Sequence, residues 1–281
     1  MDPSVPSLKL ASGAAMPALG MGTWRMGERA RDRAREIAAL RLGLDLGMTL
    51  VDTAEMYSDG GAEKIVGEAI AGRRDQVFLV SKVYPHHATR RGVVAACERS
   101  LRRLHSDWLD LYLLHWRGEV PLSETVAGFE QLRQAGRIRH WGVSNLDHDE
   151  MKELVGLPDG GRCSADQVLY HLNCRGIEWD LLPECRRRRI AVMAYSPFDE
   201  GRLLRDRHLT ALAKRLGATT AQLALAWLLA RPGVAVIPKA SDPSHVEDNY
   251  KALGLKLSAA WRAEIDRVFP PPTRATPLKM I

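Results

Sequence analysis

The chain has no apolar run near the roughly 20 residues needed to cross a bilayer. Its first ten residues, MDPSVPSLKL, offer two prolines and an aspartate where a secretory leader carries a basic end and an apolar core. A membrane protein and an exported protein are not expected, and the chain reads as cytoplasmic. Cysteine is scarce: Cys97, Cys163, Cys174 and Cys185 are four in 281 residues and lack the CxxC spacing of a zinc or redox motif. A disulfide scaffold and a metal site are therefore not expected. Aromatic residues make up 6%, too few for base-stacking platforms, and no RNP motif, KH loop or zinc-finger spacing occurs, so nucleic acid is not an expected partner despite the net charge of +6. A dinucleotide fingerprint is missing too, because Gly20 and Gly22 are followed by Arg25 where the third glycine belongs. That argues against a Rossmann dehydrogenase.

Hydrophobic residues at 46% and charged residues at 26% match an ordinary globular protein. The densest basic run, Arg186 to Arg189, follows a helix-like apolar stretch and precedes a strand-like one, which places it at a helix C-terminus where cations meet the dipole favourably. A small phosphorylated ligand would also use positive charge. Eight short apolar runs recur along the chain: PALGMG from Pro17, MTLVDT from Met48, VFLVSK from Val77, LDLYLLH from Leu109, IRHWGVSN from Ile138, ADQVLYH from Ala165, IAVMAYSP from Ile190 and VAVIPK from Val234. Most lack polar alternation, as strands buried on both faces do. Between them lie helical stripes, Ala62, Ile65, Val66, Ala69 and Ile70 in one and Val93, Cys97, Leu101 and Leu104 in another. Eight βα units without a linker or composition shift predict a single-domain (β/α)8 TIM barrel over residues 1–281. LKLASGAAMPAL is expected to form a short N-terminal hairpin at the barrel bottom, and an extra C-terminal helix and the Pro-rich tail from Pro270 lie outside the repeat.

Such barrels build their sites at the C-terminal ends of the strands. Those ends supply Asp52, Lys82, His115, the Ser144-Asn145 pair, Gln167, Tyr195 and Lys239, an unusually polar set to follow buried apolar runs. Singly, an aspartate after a strand is a helix cap and a histidine there is a core residue. Eight together call for chemistry.

VDTAEMY, VSKVY, LDLYLLHW, GVSN, the Gln167 strand, AYSP and IPKASDPSHVEDN resemble, in this order, the segments of the aldo-keto reductases, and the resemblance covers nearly the whole chain. GMGTW and the GRLL after AYSP look most like the bacterial branch that includes methylglyoxal-reductase-like members. The resemblance implies a catalytic tetrad of Asp52, Tyr57, Lys82 and His115, with NADPH as the hydride source. It implies Ser144, Asn145 and Gln167 on the nicotinamide carboxamide and Tyr195 stacked on the ring, with Gly22, Thr23, Trp24 and Asp52 alongside. Ser196, Pro197, Phe198, Gly201 and Leu203 would follow the pyrophosphate. Ile237, Lys239, Ala240, Ser241, His245, Asp248 and Asn249 would surround the adenosine end. Trp24, Tyr57, Tyr84, His115 and Trp116 would form the substrate pocket, with the tail as its last wall.

Physical chemistry supports these roles. Carbonyl reduction needs a hydride for carbon and a proton for oxygen, and an unperturbed tyrosine holds its proton to about pH 10. Lys82 is expected to lower the Tyr57 pKa, with Asp52 holding Lys82 charged, while His115 orients the carbonyl. Two departures from the family pattern stand out. Ala240 and His245 replace the usual serine and arginine, so a preference for NADPH that narrows as pH rises is expected. Asp199 and Glu200 place acids in the loop that covers the pyrophosphate and are expected to point outwards or to grip the adenosine. The expected activity is that of an NADPH-dependent oxidoreductase of the alcohol dehydrogenase (NADP+) type, acting as a monomer on small carbonyl compounds. The alternatives are a Schiff-base aldolase using Lys82 and a non-catalytic NADPH-binding regulatory subunit.

Overall fold

The computed structural model describes residues 3–281. An antiparallel hairpin, β1 (Ser7–Lys9) with β2 (Ala15–Pro17), precedes the barrel. Every one of the eight apolar runs then yields a strand: β3 (Gly20–Gly22), β4 (Leu50–Asp52), β5 (Phe78–Val83), β6 (Leu109–Leu114), β7 (Ile138–Ser144), β8 (Ala165–Leu169), β9 (Ala191–Tyr195) and β10 (Val234–Val236). They pair in chain order and in parallel, and bridges from Leu19 to Val236 and from Gly22 to Lys239 join the last strand to the first. The ring is closed.

Side-chain alternation divides the core into two. Leu50, Val80, Leu111, Leu113, Ala165, Met193, Ala235 and Ile237 point inwards and pack with Leu10 and Met16 of the hairpin, which plugs the barrel floor. The intervening Val51, Leu79, Tyr112, Val143, Val168, Val192 and Val236 face the helices. Each aliphatic side chain so buried contributes about 1.5–3 kcal/mol, so a one-residue register slip, which would exchange the two faces, is strongly disfavoured. Space inside is tight: a Cβ on Gly20 would come within 2.6 Å of the Leu50 side chain.

The outer layer consists of α1 (Arg33–Asp45), α2 (Gly61–Ala69), α3 (Arg90–Leu104), α4 (Leu122–Gln134), α5 (His148–Gly156), α6 (Leu181–Arg188), α7 (Arg207–Arg215), α8 (Thr220–Leu229), α9 (Pro243–Lys251) and α10 (Ala259–Val268). The stripes predicted for α2 and α3 are buried in full. Sequence sets the boundaries locally. Thr89 caps α3 through the Gly92 amide, and Asp147 with Glu150 and Thr219 with Gln222 form capping boxes on α5 and α8. The basic run ends α6, with Arg187 and Arg188 paired to Glu184 and Arg189 in the left-handed conformation. Two helices, α7 and α8, separate β9 from β10 where the repeat needs one. Helix α10 is the expected C-terminal addition, and no regular structure follows Val268.

One strand residue breaks the outward apolar pattern. Asp166 of β8 lies among the helices, fully buried, and neither carboxyl oxygen has a hydrogen-bond partner. Burial raises its pKa well above the ordinary carboxylate range. The folded state therefore holds a proton that the unfolded chain releases near pH 4, so stability falls as pH rises from there through the folded pKa. Asp166→Asn removes this titration, and we expect it to raise stability at pH 7 by about 1.4 kcal/mol or more, the free energy linked to a rise of one pKa unit. Melting curves of both proteins from pH 4 to 8 test this. The gap should close towards pH 4, and parallel curves would refute it.

Candidate active site

The inward phase of each strand continues past its apolar layers, so that the next inward residue at the C-terminal end is polar. Asp52, Lys82, His115, Ser144, Gln167 and Lys239 all reach the barrel mouth in this way, and Tyr57 joins them from the turn after β4. Lys82 is fully buried and Asp52 is 2% exposed. The Lys82 ammonium donates to Asp52 Oδ2 at 2.7 Å, to the Thr53 carbonyl at 2.9 Å and to the Tyr57 hydroxyl at 3.2 Å. Burial lowers its pKa, but Asp52 and Tyr57 more than offset that and leave it above the ordinary value. An ammonium with all three protons donated has no lone pair for a Schiff base, so the aldolase alternative finds no nucleophile here.

For Tyr57 the balance differs from the expectation. Burial raises its pKa above that of an ordinary phenol; Lys82 pulls it back, and Asp52 opposes Lys82. The expected lowering is thus outweighed by desolvation, and Tyr57 is held as a protonated acid. His115 packs edge-on to Tyr57, ring centroids 5.7 Å apart, and burial beside Lys82 pushes its pKa down to about 2. The ring is therefore neutral near pH 7. Its buried Nδ1 has no hydrogen-bond partner.

Around this core the polar side chains are joined to one another. Gln167 Nε2 donates to Asp52 Oδ1 at 2.7 Å, and Ser144 Oγ donates to the Gln167 carbonyl at 2.8 Å. Asn145, left-handed at φ 60°, donates through Nδ2 to Ser144 Oγ and the His115 carbonyl, while its Oδ1 accepts from the Tyr195 hydroxyl at 3.0 Å. Thr23 Oγ1 donates to the Asp52 carbonyl, tying β3 to β4 beside Gly22.

At the rim Lys239 Nζ stands 3.0 Å from Ser241 Oγ, with His245 exposed on α9 and Ala240 half-buried nearby. The Asp248 carboxylate accepts from Thr219 and Gln222, which turns it towards α8, and Asn249 is buried. Leu203 is packed into the outer core, leaving only its main chain for a ligand, while Ile237 lines the barrel interior. Ser196, Asp199, Glu200 and Gly201 all have positive φ in the loop after β9, where Pro197 is buried and Phe198 half-buried. Asp199 corrects the expectation of an outward side chain. It turns inwards, 3.6 Å from buried His171 Nε2, and pairs with Arg202 at 2.6 Å, so its charge is neutralised locally.

One wall of the mouth is aromatic. Tyr84 meets Trp116 edge to face at 5.9 Å and leans on His86 at 4.6 Å, and Trp116 packs on His115 at 4.9 Å. Trp24, 39% exposed, carries Arg25 over its ring. The loops after β5 and β6 touch closely, since a Cβ on Gly118 would come within 2.6 Å of Pro85. Sequence reasoning missed Glu55, a buried carboxylate behind this wall. The tail from Pro270 lines a cleft of about 380 Å³ with Asp147–Asp149 and Asn173–Leu181, and its last amide, of Ile281, lies against the Tyr195 hydroxyl. It flanks Tyr195 rather than the Tyr84 and Trp116 wall.

A closed eight-stranded barrel with an Asp-Tyr-Lys-His cluster at its mouth defines a class, and the chain matches the Aldo/keto reductase family over residues 18–269, to which it belongs. Among its relatives is the methylglyoxal reductase YeaE of Escherichia coli (strain K12), 50% identical over 279 residues that cover 98% of both proteins. The glyoxal reductase of Bacillus subtilis (strain 168) is 31% identical, covering 92% of this chain and 91% of its own. A crystal structure of an aldo-keto reductase from Klebsiella pneumoniae in complex with NADPH superposes with a TM-score of 0.95 at 51% identity, covering 100% of both chains.

Proposed function

We propose that the chain reduces small aldehydes and ketones to alcohols with NADPH, Tyr57 delivering the proton. The observation that carries this reading is the buried Lys82 ammonium, shared between Asp52 and the Tyr57 hydroxyl. The residues at the mouth fit the cofactor: a set of amide and hydroxyl groups at Ser144, Asn145 and Gln167 suits a carboxamide, Tyr195 offers a ring, and Lys239 with Ser241 offers charge and a donor to a phosphate. NADPH, when bound, supplies the hydride that the protein lacks. The protein's own part is acid chemistry and orientation. As charge develops on the carbonyl oxygen, the Tyr57 O–H bond breaks and an alcohol O–H bond forms, leaving a phenolate beside Lys82 that solvent reprotonates. The neutral His115 ring gives an N–H to the same oxygen and fixes its direction.

Trp24, Tyr84 and Trp116, together with the likeness to the methylglyoxal and glyoxal reductases, support short 2-oxoaldehydes and aromatic aldehydes as substrates. The test is loss of 340 nm absorbance with NADPH and a carbonyl panel. Methylglyoxal and benzaldehyde should be reduced with higher kcat/KM than any aldose. Tight NADPH binding without turnover would instead identify a binding subunit, and a preferred aldose would refute the pocket assignment.

A further inference from the structure

The tetrad accounts for the chemistry but not for what holds the aromatic wall in place, and Glu55 is the buried ionisable group at the mouth that the reaction leaves unused. It sits between the β4 end and Tyr57, with its side chain 5% exposed. Its Oε1 accepts the Tyr84 amide at 2.9 Å and lies 2.9 Å from His87 Nδ1, while Oε2 lies 3.4 Å from Arg99 of α3. His87 in turn stands edge-on to the Tyr84 ring at 6.1 Å and packs on His86, which leans on the same ring at 4.6 Å. One carboxylate therefore reaches Tyr84 twice, through its amide and through the imidazole beside its ring. Burying such a charge is costly unless it is paired and hydrogen-bonded. Here it is both, so the arrangement is rigid and the position of Tyr84 is fixed from behind.

We propose that Glu55 is a positioning residue for substrate selection: by clamping Tyr84 against Trp116 it sets the width of the pocket for ring-bearing carbonyl compounds, without touching substrate or cofactor. The proposal rests on the reductase reading above. A methylglyoxal-sized substrate is too small to need the wall, whereas an aromatic aldehyde packs on it. Loss of the clamp therefore raises KM for the larger substrate and leaves hydride transfer intact.

The experiment compares Glu55→Leu, Glu55→Gln and Arg99→Met with wild type at saturating NADPH, using methylglyoxal and benzaldehyde. Glu55→Leu should raise KM for benzaldehyde by about tenfold, with kcat within about twofold and the methylglyoxal KM changed less than about threefold. Glu55→Gln keeps an acceptor for the Tyr84 amide and should return to within about threefold of wild type. Arg99→Met, on the outer helix, tests the clamp without altering the acceptor and should raise the benzaldehyde KM by about threefold even if the leucine variant does not fold. Equal losses for both carbonyls would show a general disturbance of the Tyr57 turn and overturn the proposal. Unchanged selectivity in the leucine variant, or in Arg99→Met where leucine gives no folded protein, would overturn it as well. A wild type that reduces neither carbonyl overturns the reading beneath it instead.

Discussion

Tyr57→Phe should lower the single-turnover rate of aldehyde reduction by at least about a hundredfold, the low end for loss of a positioned general acid, while NADPH binding stays within about twofold. The two halves follow from one geometry. Tyr57 touches Lys82 through its hydroxyl and His115 through its ring, so removing one oxygen deletes the proton source and leaves the packing in place. Rapid-mixing absorbance at 340 nm reads the transfer, and fluorescence titration reads the cofactor. Turnover near the wild-type level would overturn the assignment of Tyr57.

A second large effect is expected at Lys82, and it separates charge balance from catalysis. Lys82→Met leaves Asp52 as an unpaired carboxylate deep in the barrel, with Gln167 and solvent-free surroundings as its remaining support. Breaking a buried pair in this way costs about 3–5 kcal/mol, and loss of the charge beside Tyr57 should cost about a hundredfold or more in kcat. Replacing both partners, as Asp52→Asn with Lys82→Met, removes the orphaned charge. Denaturant unfolding should then recover most of the stability while activity stays lost. If the double variant is as unstable as the single one, the pair is not the source of the cost; if Lys82→Met retains activity, Lys82 does not assist Tyr57.

The fold was legible because its signal is redundant. Eight apolar runs of strand length, each followed by a helical stripe, leave a parallel barrel as the consistent solution, and the strand ends then select Asp52, Lys82, His115, Ser144 and Gln167. What escaped has a common cause. Glu55 looks like any loop acid, because its partners His87 and Arg99 lie 32 and 44 residues away, a proximity made by the parallel pairing of β4 with β5. The inward turn of Asp199 depends on His171 of a neighbouring strand loop and on a backbone with φ of 52°, and neither leaves a pattern in sequence. The sign of the Tyr57 shift depends on how much water remains around the phenol, which residue identity does not state. Asp166 was within reach: two-residue alternation from Gln167 puts it on the helix-covered face, where an acid is out of place.

Ring closure through Gly22 and Lys239 has a consequence for how the protein is made. A ribosome releases β3 first and β10 last, so for most of synthesis the growing sheet is open, with β3 presenting one unpaired edge and the newest strand the other. Free edges of apolar parallel strands recruit other chains, and the polypeptide carries this exposure until its final strand emerges. In the folded ring the free side of β3 is met by β10 and the residues after it, the last part of the barrel to be made.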